Sequence, residues 1–185
     1  MLQVDMSAEK RTVFGKGAMR QMRMRETIPA VVYSGGQEPM PLQFATAQLF
    51  KDLLFILGRN AVINLAVNGD NKGRRHALVQ EIQKDPVTGE LLHVDFVEID
   101  LEKQAKFSVP LKFKGTPKGV DLGGDLQVHR TEIQLFGRPL DIPDVIETDI
   151  TPLEQGGKGL TYGDIAMPAG VQMLSKADAV CVQVV

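Results

Sequence analysis

Two runs of alternating apolar residues, joined through a return strand and two turn signals, most constrain what this chain can fold into. Ile63, Leu65 and Val67 alternate up to Asn68-Gly69-Asp70, and a return strand follows from about residue 75 to residue 84. Asp85-Pro86-Val87-Thr88-Gly89 is a second turn, after which Leu92, Val94 and Phe96 alternate on a third strand. Successive side chains on a strand point to opposite faces, so this spacing puts His93 and Asp95 together on the face away from Leu92, Val94 and Phe96. The two turn sequences suit tight reversals, so the three strands predict an antiparallel meander with one apolar face to bury.

Upstream, the residues from Leu2 to Ser7 and on to Phe14 alternate briefly, which predicts an opening strand pair ending at Gly15. Gly15 and Gly17 allow a tight turn into a short helix over residues 17–25, with Pro29 marking its exit. Residues 30–33 form an apolar run closed by Ser34-Gly35-Gly36, and Pro39 and Pro41 flank a short strand over residues 42–44. Thr46 is the expected N-cap of the clearest helix, where Leu49, Phe50, Leu53, Leu54 and Leu57 fall at helical spacing before Gly58. Five or six strands with one or two helices predict a small barrel or a strongly curved sheet. The charged segment 100–106 has no apolar period and precedes a new alternating strand of Phe107, Val109, Leu111 and Phe113. It divides the chain into a domain over residues 1–99 and a second over residues 100–185. Glycine- and proline-rich turns in the second domain separate short strands around residues 133–136, 145–150 and 179–185, so an all-β module is expected.

The formal net charge is -2, but it is unevenly spread. Residues 1–75 carry eleven Lys and Arg against six Asp and Glu, whereas residues 76–185 carry ten against seventeen. Lys10, Arg11, Lys16, Arg20, Arg23 and Arg25 fall within one short segment that holds no carboxylate. On a helix over residues 17–25, Lys16, Arg20 and Arg23 share a stripe and Met19 and Met22 the neighbouring one, so the methionines dock the helix and the cations face outward. A cationic helix face is commonly plain solvated surface. Here nothing local offsets the repulsion, which a polyanion would relieve. Both readings, solvated face and nucleic-acid contact, stand at this level.

Catalysis finds no foothold in the sequence. Gly15-Lys16-Gly17 has Arg20 where a dinucleotide fingerprint needs its third glycine, and Gly156-Gly157-Lys158 lacks the upstream glycine and the following Ser or Thr of a P-loop. His76, His93 and His129 are scattered over different strands with no metal-ligand spacing, and no motif sets a base beside a nucleophile. Asp141, Asp144, Glu147 and Asp149 read as the wet face of a strand and its turn. The single cysteine, Cys181, can form neither an intramolecular disulfide nor a thiolate zinc cluster and suits a reducing cytosol. No stretch approaches the roughly 18 apolar residues of a membrane span, and the N-terminus lacks a signal-peptide pattern. A cytoplasmic non-enzyme is expected, with no cofactor, metal, membrane or small-molecule substrate.

Several ordered motifs carry a resemblance over essentially the whole chain. They are Gly15-Lys16-Gly17-Ala18 with Arg20 and Arg23, Ile28-Pro29-Ala30-Val31-Val32-Tyr33, Asp85-Pro86-Val87-Thr88-Gly89 and Leu92-His93-Val94-Asp95-Phe96. Val109-Pro110-Leu111, Gly115-Thr116-Pro117 with Gly119-Val120, and Asp141-Ile142-Pro143-Asp144 continue them. The chain resembles the bacterial large-subunit ribosomal protein L-twenty-five family that binds 5S rRNA, in its long two-domain form, also called general stress protein Ctc. The resemblance implies a mainly β protein with short helices, in which a six-stranded β-barrel is followed by a β-rich C-terminal domain. It implies recognition of an internal loop of 5S rRNA rich in non-Watson–Crick pairs, where the shallow minor groove exposes 2'-hydroxyls and base edges. Arg11, Lys16, Arg20 and Arg23 map onto the family's phosphate and groove contacts, and Tyr33, Gln83, His93 and Asp95 onto its contacts from the sheet. The implied partners are 5S rRNA, the large ribosomal subunit and neighbouring ribosomal proteins. A stress-related interaction module acting off the ribosome through the second domain is the competing class. Glu26 departs from the family's usual Gly or Asn at the helix end, and Ser34 from a common glycine.

Overall fold

The computed structural model describes residues 1–185 apart from Gln37, Asn71, Lys72 and Ala169. Two compact units form, one from Leu2–Leu57 and Ala61–Leu101, the other from Glu102–Val185 with Met1 and Gly58–Asn60. In the first unit β1 (Leu2–Lys10), β2 (Thr27–Tyr33), β3 (Met40–Ala45), β4 (Ala61–Asn68), β5 (Arg74–Lys84) and β6 (Leu91–Glu98) close into a barrel of order β1-β3-β2-β6-β5-β4. The expected meander is β4-β5-β6, antiparallel throughout. Two pairings are parallel, β1 on β4 and β2 on β6. Strands paired in parallel cannot be joined by a tight turn, and α1 (Lys16–Met24) and α2 (Thr46–Phe55) lie in the long connections.

The inward faces supply the core. Ile63 and Leu65 of β4, Ala77 of β5, Val94 and Phe96 of β6, Ala30 and Val32 of β2 and Leu42 of β3 are essentially inaccessible, and the Phe44 and Phe96 rings pack with centroids 5.4 Å apart. Burying each larger aliphatic side chain contributes about 1.5–3 kcal/mol. α2 adds Leu49, Leu53 and Ile56 to the same cluster. Arg75 of β5 is buried between Asp70 and Glu98, each 2.7 Å away. The Ser34 hydroxyl donates to Glu98, so the serine that stands for a common glycine joins this network.

Local expectations failed at four places. The opening segment is one strand, because no turn signal lies between Ser7 and Phe14 and β1 finds its ladder on distant β4. Pro29 is buried inside β2 and does not end α1; the ladder to β6 begins at Ala30, so the missing N–H removes nothing from it. The helix instead exits through Arg25 and Glu26, the latter left-handed at φ 56. Thr46 is the first residue of α2, not its cap: its N–H donates to the Glu26 carbonyl at 2.9 Å, and its hydroxyl is buried with no partner. The second unit also departs from all-β by a short α-helix, described next, and a 3-10 turn at Tyr162–Asp164.

That unit contains β7 (Ala105–Lys114), β8 (Leu126–Val128), β9 (Glu132–Gly137), β10 (Ile146–Asp149), β11 (Leu160–Thr161), β12 (Gln172–Met173) and β13 (Val180–Val184). They form one sheet of order β10-β7-β9-β12 and another of order β11-β13-β8. Val109, Ile133, Leu135, Ile142 and Val182 are buried, and burial pushes the Cys181 thiol pKa up. The four-residue helix α3 (Lys118–Asp121) needs glycine at 119, where a Cβ would stand 2.4 Å from the Gln155 backbone nitrogen. Glu147 and Asp149 are exposed on β10, as their alternation predicts.

Candidate nucleic-acid interface

α1 buries no residue fully; Met19 and Met22 are only half-buried. Lys16, Arg20 and Arg25 are exposed, and among the described residues no carboxylate lies within ion-pair distance of them or of Arg23. Arg23 turns inward, its Nε donating to the Leu92 carbonyl at 3.2 Å, which ties the helix to β6. Arg11 is 8% exposed: its Nη1 donates to the Val13 carbonyl at 3.0 Å and meets the Met19 sulfur at 3.1 Å, while the guanidinium lies 5.1 Å from the Phe14 ring centroid. Burial lowers its pKa. Of the four cations mapped to RNA, Lys16 and Arg20 project, Arg23 sits at a seam, and Arg11 is packed against Met19 and Phe14. The first turn of α1 has no acidic residue and no side-chain cap, so its free N–H groups and positive dipole end add to the Lys16 charge.

The sheet face assembles as the spacing predicts. Gln83 stands directly across from His93, and Glu81 from Asp95. Asp95 collects two neighbours: the Tyr33 hydroxyl donates to its Oδ2 at 3.4 Å, and His93 Nδ1 lies 2.6 Å from its Oδ1. This second contact is a close approach of ring and carboxylate without hydrogen-bond geometry, since the buried Asp95 Oδ1 has no hydrogen-bond partner. Partial burial, then the Asp95 charge, raises the Tyr33 pKa and keeps the phenol a donor. Gln83 Nε2 donates to Glu81 at 3.3 Å. The turn below is held by Asp85, whose Oδ1 accepts the N–H groups of Thr88 at 2.9 Å and Val87 at 2.8 Å, and these bonds hold its carboxyl below the usual range. Gly89 closes that turn at φ 73. The result is a cationic helix beside a face of mixed donors and acceptors.

Residues 6–96 match the Ribosomal L25p family, and residues 104–185 match the C-terminal domain of ribosomal protein TL5. The large ribosomal subunit protein bL25 of Desulfotalea psychrophila is 44% identical over 184 residues, which span 100% of this chain and 99% of that protein. The chain belongs to the bL25 family. Another bL25, from Halothermothrix orenii, is 39% identical over 100% of this chain and 83% of its own length, and that of Geobacter sulfurreducens is 34% identical over 100% and 94%. Membership in the two-domain form of bL25 makes this a ribosomal protein of the cytoplasm and the translation apparatus, not an enzyme.

In this bL25 chain the structure adds participants that sequence reasoning missed. Glu81 shares the face with Gln83, and its place two residues away on the same strand is the signal that could have found it. The Leu92 carbonyl under Arg23 and the Phe14 ring over Arg11 have no such signal, since both contacts depend on where α1 lands.

Proposed function

We propose that residues 1–99 of this large-subunit protein bind an internal loop of 5S rRNA by charge and shape, with α1 and the β2-β6-β5 face forming one continuous contact. The observation that carries this is the set of exposed, unpaired cations on α1 beside Gln83 and the cluster in which Tyr33 donates to Asp95 and His93 packs against the same carboxylate. Lys16 and Arg20 take phosphates, and Arg23 joins them from the seam. Tyr33, Gln83 and His93 meet 2'-hydroxyls and base edges in a shallow groove. Asp95 orients His93 and Tyr33, which gives a carboxylate a stable place beside RNA. Arg11 serves the same interface by holding α1 in place.

Residues 100–185 are proposed to face a neighbouring protein of the large subunit, because their twelve Asp and Glu against nine Lys and Arg disfavour contact with phosphate. A filter-binding titration of 5S rRNA over a salt series tests the whole reading. The full chain and residues 1–99 should bind tightly with a steep salt dependence, and residues 100–185 should not bind. Absence of salt-sensitive binding by residues 1–99 would overturn it.

A further inference from the structure

We propose that the cleft at the C-terminal end of α1 receives one unstacked nucleobase of the bound RNA, and that this base carries an exocyclic amino group. The proposal rests on the RNA-binding reading above. The cleft has a volume of about 410 Å³ and lies where α1 ends, α2 begins and the turn at residues 88–90 passes. That size accommodates a small flat ligand with room for its sugar.

Its walls suit a base in two ways. Phe50 of α2 presents its ring at 48% exposure, and the buried residues Ile28 and Leu91 supply apolar surface in the same cleft. An exposed aromatic ring is the usual platform for an unpaired base, and every base offers it a π-face. The polar groups select further. Glu26 and Glu90 bring two carboxylates to the lining, and Thr46, whose buried hydroxyl has no partner, stands between α1 and α2. Carboxylates beside RNA repel it unless they accept from a base amino group, which adenine, cytosine and guanine possess and uracil lacks.

Two backbone bonds fix the Glu26 carboxylate's starting point. The Glu26 N–H donates to the Arg23 carbonyl at 3.1 Å, and its own carbonyl accepts from the Thr46 N–H at 2.9 Å. Arg23 lines the same cleft while its Nε is bonded at Leu92, next to His93, so one side chain joins the cleft to the proposed groove contacts. Its Nη groups lie free to take the phosphate of the displaced nucleotide. Internal loops of non-Watson–Crick pairs release a base from the stack at lower cost than regular duplex does.

The test uses the full chain and 5S rRNA, with chemical probing of base Watson–Crick edges and binding measured over a salt series. The unaltered chain should protect one adenine, cytosine or guanine that becomes reactive with Phe50→Leu, at an affinity lower by on the order of tenfold, the scale of one lost stack. Phe50→Trp should keep both the affinity and the protection. The salt slope should fall by at most about 0.7–0.9 with Phe50→Leu, the single phosphate contact that Arg23 makes to the displaced nucleotide. Glu26→Asn, which tolerates the left-handed backbone, should expose the same base. If Phe50→Leu binds and protects like the unaltered chain while Arg20→Ala still flattens the salt slope, the proposal is overturned and the RNA-binding reading survives. That result would assign the cleft to a protein segment. If the unaltered chain does not bind 5S rRNA, both fall together.

Discussion

α1 and α2 are nearly equal in length, at 9 and 10 residues, and neither is capped by a side chain, yet they are held in opposite ways. α2 sends Leu49 and Leu53 into the barrel core, whereas α1 buries nothing fully. A helix of this length is unstable alone in water, so each depends on what it touches. α2 depends on apolar burial. α1 depends on peripheral tethers: Arg23 on the Leu92 carbonyl, and Arg11 with Met19. The difference separates a helix that completes a core from one whose surface is left for a partner.

The sharpest way to break this comparison is Leu49→Ala, which should cost about 2–5 kcal/mol in urea unfolding because Leu49 is fully buried in the barrel core. Met22→Ala on α1 should cost well under half as much; an equal loss would erase the distinction. Glu26→Gly should stabilise the fold by about 1 kcal/mol, since it relieves a left-handed residue bearing a Cβ. A lower urea midpoint for that variant would mean the Glu26 side chain contributes more than its backbone costs. Arg20→Ala should leave stability within about 0.5 kcal/mol of the unaltered chain. It should nevertheless make the salt dependence of 5S rRNA binding shallower by about 0.7–0.9 in slope, one phosphate equivalent. An unchanged slope would place Arg20 in solvent.

The smallest effect concerns Asp85. Its folded pKa lies below its unfolded value, so the stability it lends the turn is complete above the ordinary aspartate range and is lost as pH falls through the folded value. A carbon NMR titration of the Asp85 carboxyl should show a midpoint below that range. A midpoint at or above it would show that the Thr88 and Val87 bonds do not persist in solution.

The meander and its turns were legible because period-two alternation and turn residues are local signals. The pairing of Gln83 with His93 was not legible by counting out from the turn, because a register shift between Gln83 and Lys84 moves the partner of Gln83 from Leu92 to His93. The residues alone left a small barrel and a strongly curved sheet both open, and only resemblance favoured closure, since parallel pairing of β1 with β4 leaves no mark in either strand. Arg11 and Arg23 show the limit for the site. Periodicity puts Arg23 on the cationic stripe and resemblance adds Arg11 to the site, but the direction of an arginine depends on the carbonyl or ring it meets, and for Arg23 that carbonyl is 69 residues away. Glu26 is a third kind of case. Its side chain gives no hint of a left-handed backbone, and only its place at a position usually held by Gly or Asn did so.

The two parallel pairings also set a timetable for synthesis. β1 emerges before β4 and, apart from its end at Glu9 and Lys10, which pairs with β3, cannot form its ladder until β4 has followed, and Tyr33 on β2 waits for Asp95 on β6. At roughly 5–20 residues per second the nascent chain spends several seconds with its earliest strand unpaired. Contacts so distant in sequence also slow closure once the residues are present. Cations on α1 are therefore made well before the face that accompanies them, so on the proposed reading a nascent fragment would attract RNA by charge before the face that would recognise a loop exists.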